Sequence, residues 1–319
     1  MIQLPSSALD QLLTPCLVVD VPAASRNIRR CAAFFSGQPA ALRPHFKAHK
    51  CTTLMRQQLA AGGCAGVACQ TSWEALVLAR AGFGDILIAN QVVDAAALDE
   101  VSEAAALARL TVVVDHELQV DLLARAATRH GVPIGALVEL DVGAGRCGLP
   151  FGDASLVPLA EQITRQEGLS FRGLQAYEGH AVHRHSREVR ATLVQQAALQ
   201  IQHEQARLAA AGFDCEVISG GGTGTYDLAA QAGALTEIQV GSYVLMDGRY
   251  GTLDLPFEPA LYCVTTVISR RPSRAVLLIP AHVDPAVNLY DRLFAWSGTG
   301  FTEWEVDGRR HYRLPGFSR

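Results

Sequence analysis

The 319-residue chain reads as a (β/α)8 TIM-type barrel followed by a small C-terminal β domain. Three observations predict this. Short apolar runs recur about every 25–30 residues, each followed by a helical pattern or a loop. Chemically distinctive residues fall at the ends of those runs, where barrel enzymes place their chemistry. From about residue 257 the helical patterns stop and strand patterns take over.

The elements follow in order. Cys16-Leu17-Val18-Val19-Asp20 is an apolar run ending in an acid, as for a strand buried on both faces, and Val21-Pro22 opens a helix to about Phe35. Arg43–His49 reads as a second strand before a helix from Thr52. Gly66–Gln70 precedes a helix that Thr71 or Ser72 would cap. Asp85–Ala89, Leu110–Val114, Gly135–Val142 and Phe171–Ala176 are each followed by helical spacing, the last by a long helix from about Ser186 to Ala211. Glu216–Ser219 runs into Gly220-Gly221-Gly222-Thr223-Gly224. Eight such units fit a closed barrel over residues 14–250 better than the alternative, an open doubly wound sheet. Residues 1–13 and 251–319 are assigned to the β domain, with strands at Ala260–Ser269, Ala275–Ile279, Phe294–Trp296, Trp304–Val306 and His311–Leu314. Asp307-Gly308 is a hairpin-turn signal.

Composition narrows the function. The chain is 49% hydrophobic and 18% charged, with a net charge of −4 and a pI near 6.2. No basic cluster interleaved with aromatics marks a nucleic-acid surface. No apolar run reaches membrane-span length, and Met1–Pro5 lacks the pattern of a secretory signal, so no membrane partner is expected. Eight scattered cysteines without a CxxC pair read as reduced thiols in a cytoplasmic protein.

Several stretches carry possible chemistry. In Arg43-Pro44-His45-Phe46-Lys47-Ala48-His49-Lys50, strand alternation would turn His45, Lys47 and His49 to one face. A lysine held there away from water would have a lowered pKa and a free amine, as a Schiff-base lysine needs; a solvated basic turn is the bland alternative. Ser219–Thr225, with Gly241-Ser242, can wrap an anion in backbone N–H groups or be a flexible glycine turn. Arg146, in a glycine-rich loop after Asp141, can hold an oxyanion or be a loop charge. Tyr177-Glu178-Gly179-His180-Ala181-Val182-His183 sets two histidines beside a tyrosine, for metal binding or acid–base work. His282-Val283-Asp284, if extended, puts two ligands on one face. From spacing alone a hydrogen-bonded structural pair is the first reading there; a divalent ion completed by substrate and water is the other.

Together the segments RPHFKAHK, ELDVGAGRCG, LQAYEGH, SGGGTGTYD, TEIQVGSYVLMD and PAHVDPAVNLYD resemble the D-threonine aldolase / D-serine dehydratase family, pyridoxal-phosphate enzymes of the alanine racemase fold type. The resemblance spans residues 14 to about 296. It implies pyridoxal 5'-phosphate on Lys47 and Arg146 near its phenolic oxygen. It also implies Tyr177 by the ring and a phosphate region of Ser219, Gly221, Gly222, Thr223, Gly241 and Ser242. His282 and Asp284 match a pair for a divalent metal (Mn, Mg or Zn). It further implies a homodimer acting on a D-3-hydroxy amino acid. For the base that takes the hydroxyl proton, His183 is the first choice and His180 the second. His-x-Asp rather than His-x-Cys resembles the aldolase side. Cleavage of D-threonine or a relative to glycine and an aldehyde is therefore the expectation. D-serine or D-threo-3-hydroxyaspartate dehydration is the alternative, and a non-catalytic cofactor-binding protein the third reading. The C-terminal β domain is about 40–60 residues shorter than is usual in that family.

Overall fold

A computed structural model describes residues 5–268 and 275–309. In chain order the elements begin with α1 (Ser6–Leu9), β1 (Cys16–Asp20), α2 (Val21–Phe35), β2 (Ala41–Pro44), α3 (Thr52–Ala60), β3 (Val67–Cys69), α4 (Ser72–Arg80) and β4 (Asp85–Ile88). There follow α5 (Ala95–Ala105), β5 (Arg109–Val114), α6 (Glu117–His130), β6 (Ile134–Asp141), the two-residue β7 (Leu149–Pro150), α7 (Leu156–Arg165), β8 (Leu169–Ala176) and α8 (Arg187–Ala210). The chain then forms β9 (Val217–Gly220), α9 (Tyr226–Ala232), β10 (Glu237–Val240), β11 (Leu261–Thr266), β12 (Ala275–Leu278), α10 (Val283–Val287), β13 (Arg292–Trp296) and β14 (Phe301–Glu305).

The helix starts follow side-chain chemistry. Asp20 caps α2 by accepting from Ala23 N–H at 3.0 Å, and Thr71 caps α4 by accepting from Glu74 N–H at 3.2 Å. Asp94 and Ser186 do the same for α5 and α8. Each such cap is worth about 1 kcal/mol. In α2 the buried positions Ala24, Ile28, Cys31, Ala32 and Phe35 recur at three- and four-residue spacing, so one stripe faces the sheet.

Eight parallel strands run in the order β2-β10-β9-β8-β6-β5-β4-β3, with β7 appended to β6. The ring is nearly closed: between β3 and β2 the pairing thins to the isolated bridges Leu42↔Cys64 and His45↔Ala68. Arg43 staples that seam. Its guanidinium donates to Glu237 on β10 at 2.5 Å, to Asp85 on β4 at 2.8 Å and to the Val67 carbonyl on β3 at 3.2 Å. Leu87, Ala89, Val113, Leu137 and Val217 fill the barrel interior, and the larger core lies between strands and helices.

The barrel class agrees with the sequence, but one strand does not. Cys16–Asp20 lies outside the barrel. It is the centre of a second sheet, β12-β11-β1-β13-β14, antiparallel to β11 and parallel to β13. The eighth barrel strand is Glu237–Val240, so Arg43 stands on the first barrel strand rather than the second. The strand expected at His311–Leu314 lies outside the described residues. Asp307, expected in a hairpin turn, accepts from the Thr52 backbone N–H at 3.0 Å and caps α3 from a distance in sequence.

Candidate active site

The lysine stretch is not a strand. Pro44 ends β2, and Phe46–Ala48 forms a single 3₁₀ turn. The turn rotates side chains by about 120° per residue instead of alternating them. Phe46 goes into the core. His49 is fully buried, bonded to Gln58 at 2.8 Å and accepting from Cys51 N–H at 3.2 Å. Only His45 and Lys47 of the expected triad line the cavity at the barrel's C-terminal mouth. Lys50 points elsewhere, paired with the buried Glu74. The Lys47 amine has no ion-pair partner among the described residues. Burial lowers its pKa; nearby Asp284 opposes this and Arg146 adds to it. His45, buried and beside Lys47, is held neutral, and its Nδ1 has no partner among the described residues.

The cavity has a volume of about 100 Å³ and is open at its mouth. One wall is rich in glycine: Gly221, Gly222, Thr223, Gly241 and Ser242. Gly221 sits at φ +79°, and a Cβ there would come within 2.6 Å of Ile238 Cγ2. A Cβ on Gly222 would come within 2.9 Å of Val182 Cγ1 and 3.5 Å of the Tyr177 ring. The buried Glu178 fixes this loop by accepting from Gly221 N–H at 3.1 Å and from the Thr225 hydroxyl at 2.7 Å. Thr223 Oγ1 accepts from Tyr243 N–H at 3.1 Å. Ser219 is not among the lining residues. It lies on β9 in the floor network, where its hydroxyl accepts from Gln239 at 2.9 Å; Gln239 also donates to Gln175 at 2.8 Å. Gln175 and Gln239 reach the cavity in its place.

Arg146 and Tyr177 come together beside this wall, the guanidinium 5.5 Å from the ring centroid. Glu139 accepts from Arg146 at 3.2 Å. Burial pushes the Tyr177 hydroxyl up to about 12, so it stays protonated. The two histidines separate. His183 lines the cavity with its ring 4.5 Å from that of Tyr250, and burial with Arg249 and His282 nearby pulls its pKa down to about 4. His180 is not among the lining residues and packs against Gly143.

The small sheet supplies the remaining side. His282 and Asp284 both line the cavity, but not from an extended segment: His282 precedes and Asp284 opens the five-residue α10. His282 Nδ1 is 2.9 Å from Oδ2 of Asp247, which is fully buried. That contact, ahead of the opposing effect of burial, raises the His282 pKa. Burial works against ionisation of Asp247, yet His282 and the N–H groups of Tyr250 and Val283 hold its carboxyl below the usual range. Asp284 is shifted upward by burial, and its Oδ1 has no partner among the described residues. Asp247 closes the stretch Gln239–Asp247, but nothing in its spacing shows that it meets His282. Elsewhere Asp115, Glu139 and Cys147 bring three ligand atoms within 4.8 Å of one another. Those carboxylates already accept from Gln91, Gly148 N–H and Arg146.

The residues fit the groups that the sequence implies. A glycine-rich wall, a desolvated amine and an arginine suit a phosphorylated carbonyl cofactor. A partnerless carboxylate oxygen and an imidazole with Nδ1 already engaged suit one divalent ion with open positions. The barrel with its strand-end site defines a class, and comparison agrees: residues 19–248 match the model for the alanine racemase N-terminal domain. The chain belongs to that family. It is 35% identical to a D-threonine aldolase of an Arthrobacter species over 99% of this chain and 96% of that protein. The 371-position alignment is longer than this chain, so that relative has segments this chain lacks. A 3-hydroxy-D-aspartate aldolase of Paracoccus denitrificans (strain Pd 1222) is 35% identical over 86% of this chain and 73% of that protein. The crystal structure of D-threonine aldolase from Filomicrobium marinum superposes with a TM-score of 0.89 at 30% identity, covering 93% of this chain and 95% of that one. With named aldolases as relatives, the chain is an enzyme of the lyase type. No described helix is long and apolar enough to cross a membrane.

Proposed function

We propose that this enzyme is a pyridoxal-phosphate-dependent, divalent-metal-assisted lyase. It cleaves the Cα–Cβ bond of D-threonine or a related D-3-hydroxy amino acid to glycine and an aldehyde. The observation that carries this reading is the unpaired, desolvated Lys47 amine in one cavity with the glycine wall and the His282–Asp284 pair. Lys47 would carry the cofactor. Gly221, Gly222, Thr223, Gly241 and Ser242 would hold its phosphate, with Ser219 bracing the floor beneath. Arg146 would face its phenolic edge and Tyr177 its ring. His282 and Asp284 would hold the ion, manganese, magnesium or zinc. When bound, the cofactor supplies an electron sink for the charge left on Cα.

The chain's own residues do the rest. His183, neutral at ordinary pH and fixed against Tyr250, takes the β-hydroxyl proton at a ring nitrogen. The Cβ–O bond becomes a carbonyl as the Cα–Cβ bond breaks, and the electron pair stays with Cα until a proton replaces it. His180, outside the lining, is the second choice. The same reading carries a cytoplasmic homodimer, which light scattering on the purified enzyme checks.

Incubation with D-threonine and Mn²⁺ tests the chemistry. Acetaldehyde is expected. Release of 2-oxobutyrate would replace cleavage with dehydration, and no product would favour a non-catalytic cofactor-binding protein. Borohydride reduction followed by peptide mapping should label Lys47; label on another lysine removes it from the role.

A further inference from the structure

The mouth of the cavity is closed on one side by two segments far apart in sequence. Gly248 N–H donates to the Pro280 carbonyl at 2.8 Å, and Arg249 N–H to that of Ala281 at 3.2 Å. Asp247 sits at the root of this seam. Its Oδ1 accepts from Arg249 N–H at 3.0 Å and from Tyr250 N–H at 2.8 Å. Its Oδ2 accepts from Val283 N–H at 3.3 Å and meets His282 Nδ1 at 2.9 Å. With both oxygens held by backbone, this fully buried carboxylate cannot swing away, and a carboxylate only accepts.

We infer that Asp247 is a positioning residue that fixes His282 with its proton on Nδ1, so that the lone pair of Nε2 is free for a divalent cation in the cavity. This rests on reading His282 and Asp284 as the metal pair. A neutral imidazole carries one N–H, so a partner that can only accept at Nδ1 decides which nitrogen is left bare. Outer carboxylates of this kind set ring orientation and tautomer, and their loss costs 10- to 100-fold in metal affinity. An amide in place of the carboxylate can turn its NH₂ toward Nδ1. The proton then moves to Nε2, and the cavity-facing nitrogen can no longer bind a metal.

Two measurements on the full-length, cofactor-loaded enzyme test this. In the first, metal is removed by chelator and histidine ¹⁵N spectra are recorded near pH 8.5, with His282→Ala used for assignment. A His282 ring protonated on Nδ1 is expected; an Nε2–H ring overturns the inference without recourse to any Asp247 variant. In the second, Mn²⁺ binding is titrated by the loss of the free-ion electron paramagnetic resonance signal. Asp247→Asn should bind 10- to 100-fold more weakly, with its melting temperature near that of the parent. Equal affinity at unchanged melting overturns the inference. If Asp247→Asn fails to fold, the ¹⁵N result decides. Failure of the unmodified enzyme to bind Mn²⁺ would sink the metal reading, while the tautomer still reports on Asp247 itself.

Discussion

The barrel side of the cavity and the small-sheet side are built by different means. On the barrel side, strand ends set the geometry: Gly221 and Gly222 present backbone, and added Cβ atoms would strike Ile238 or Val182. On the other side His282 stands just before a five-residue helix and Asp284 within it, and His282 meets a third side chain, Asp247. A backbone wall tolerates little substitution but needs little help. A side-chain pair can be tuned one residue at a time.

Four experiments would break or sharpen that contrast. The largest effect falls on the residue between the two sides. Lys47→Ala should abolish cofactor fixation and product formation, whereas Lys50→Ala should leave both. If Lys50→Ala also blocks borohydride labelling, the 3₁₀ turn is wrongly placed. Next, His183→Phe should lower the rate of D-threonine cleavage by about 10²–10⁴-fold, and His180→Phe by far less. Equal losses would dissolve the distinction between lining and packed histidine.

The third prediction concerns acid. Burial holds His49 and His183 at about 4, below the ordinary value near 6.5. The unfolded chain therefore binds more protons between those limits, and stability must fall as pH drops from 6.5 to 4. His49, fully buried, accounts for up to about 3 kcal/mol of that loss. Urea midpoints equal at pH 7.5 and 4.5 would refute it. The smallest effect is at the glycine wall: Gly222→Ala should cost about 1–3 kcal/mol through crowding against Val182, read as weaker cofactor binding. Unchanged affinity would mean that the wall has slack.

The same division explains what the sequence could reveal. Barrel architecture was legible because every unit repeats one physical pattern, and the wall because glycines after a strand have few other uses. The strand identities slipped at one place. Cys16–Val19 is as apolar as any barrel strand and reads alike in either sheet. Glu237-Ile238-Gln239-Val240 looks too polar for a barrel interior until Glu237 meets Arg43 and Gln239 meets Gln175. Likewise, alternating His45, Lys47 and His49 mimics a strand face, but Pro44 ends the strand before the pattern begins. The orientation of His282 by Asp247 spans 35 positions and leaves no local signal.

β1 at the centre of the small sheet sets an order of events during synthesis. Its partners begin at Leu261 and Arg292, on opposite flanks. At about 5–20 residues per second on a ribosome, Leu17–Val19 wait roughly 15–55 s for β13. The barrel strands emerge in the interval, and apart from the closing pair β2–β10 most of them neighbour a strand close in sequence. The first strand made is among the last to be paired. Chains stalled near residue 250 should therefore be cut by protease around residues 16–20, and finished chains should not.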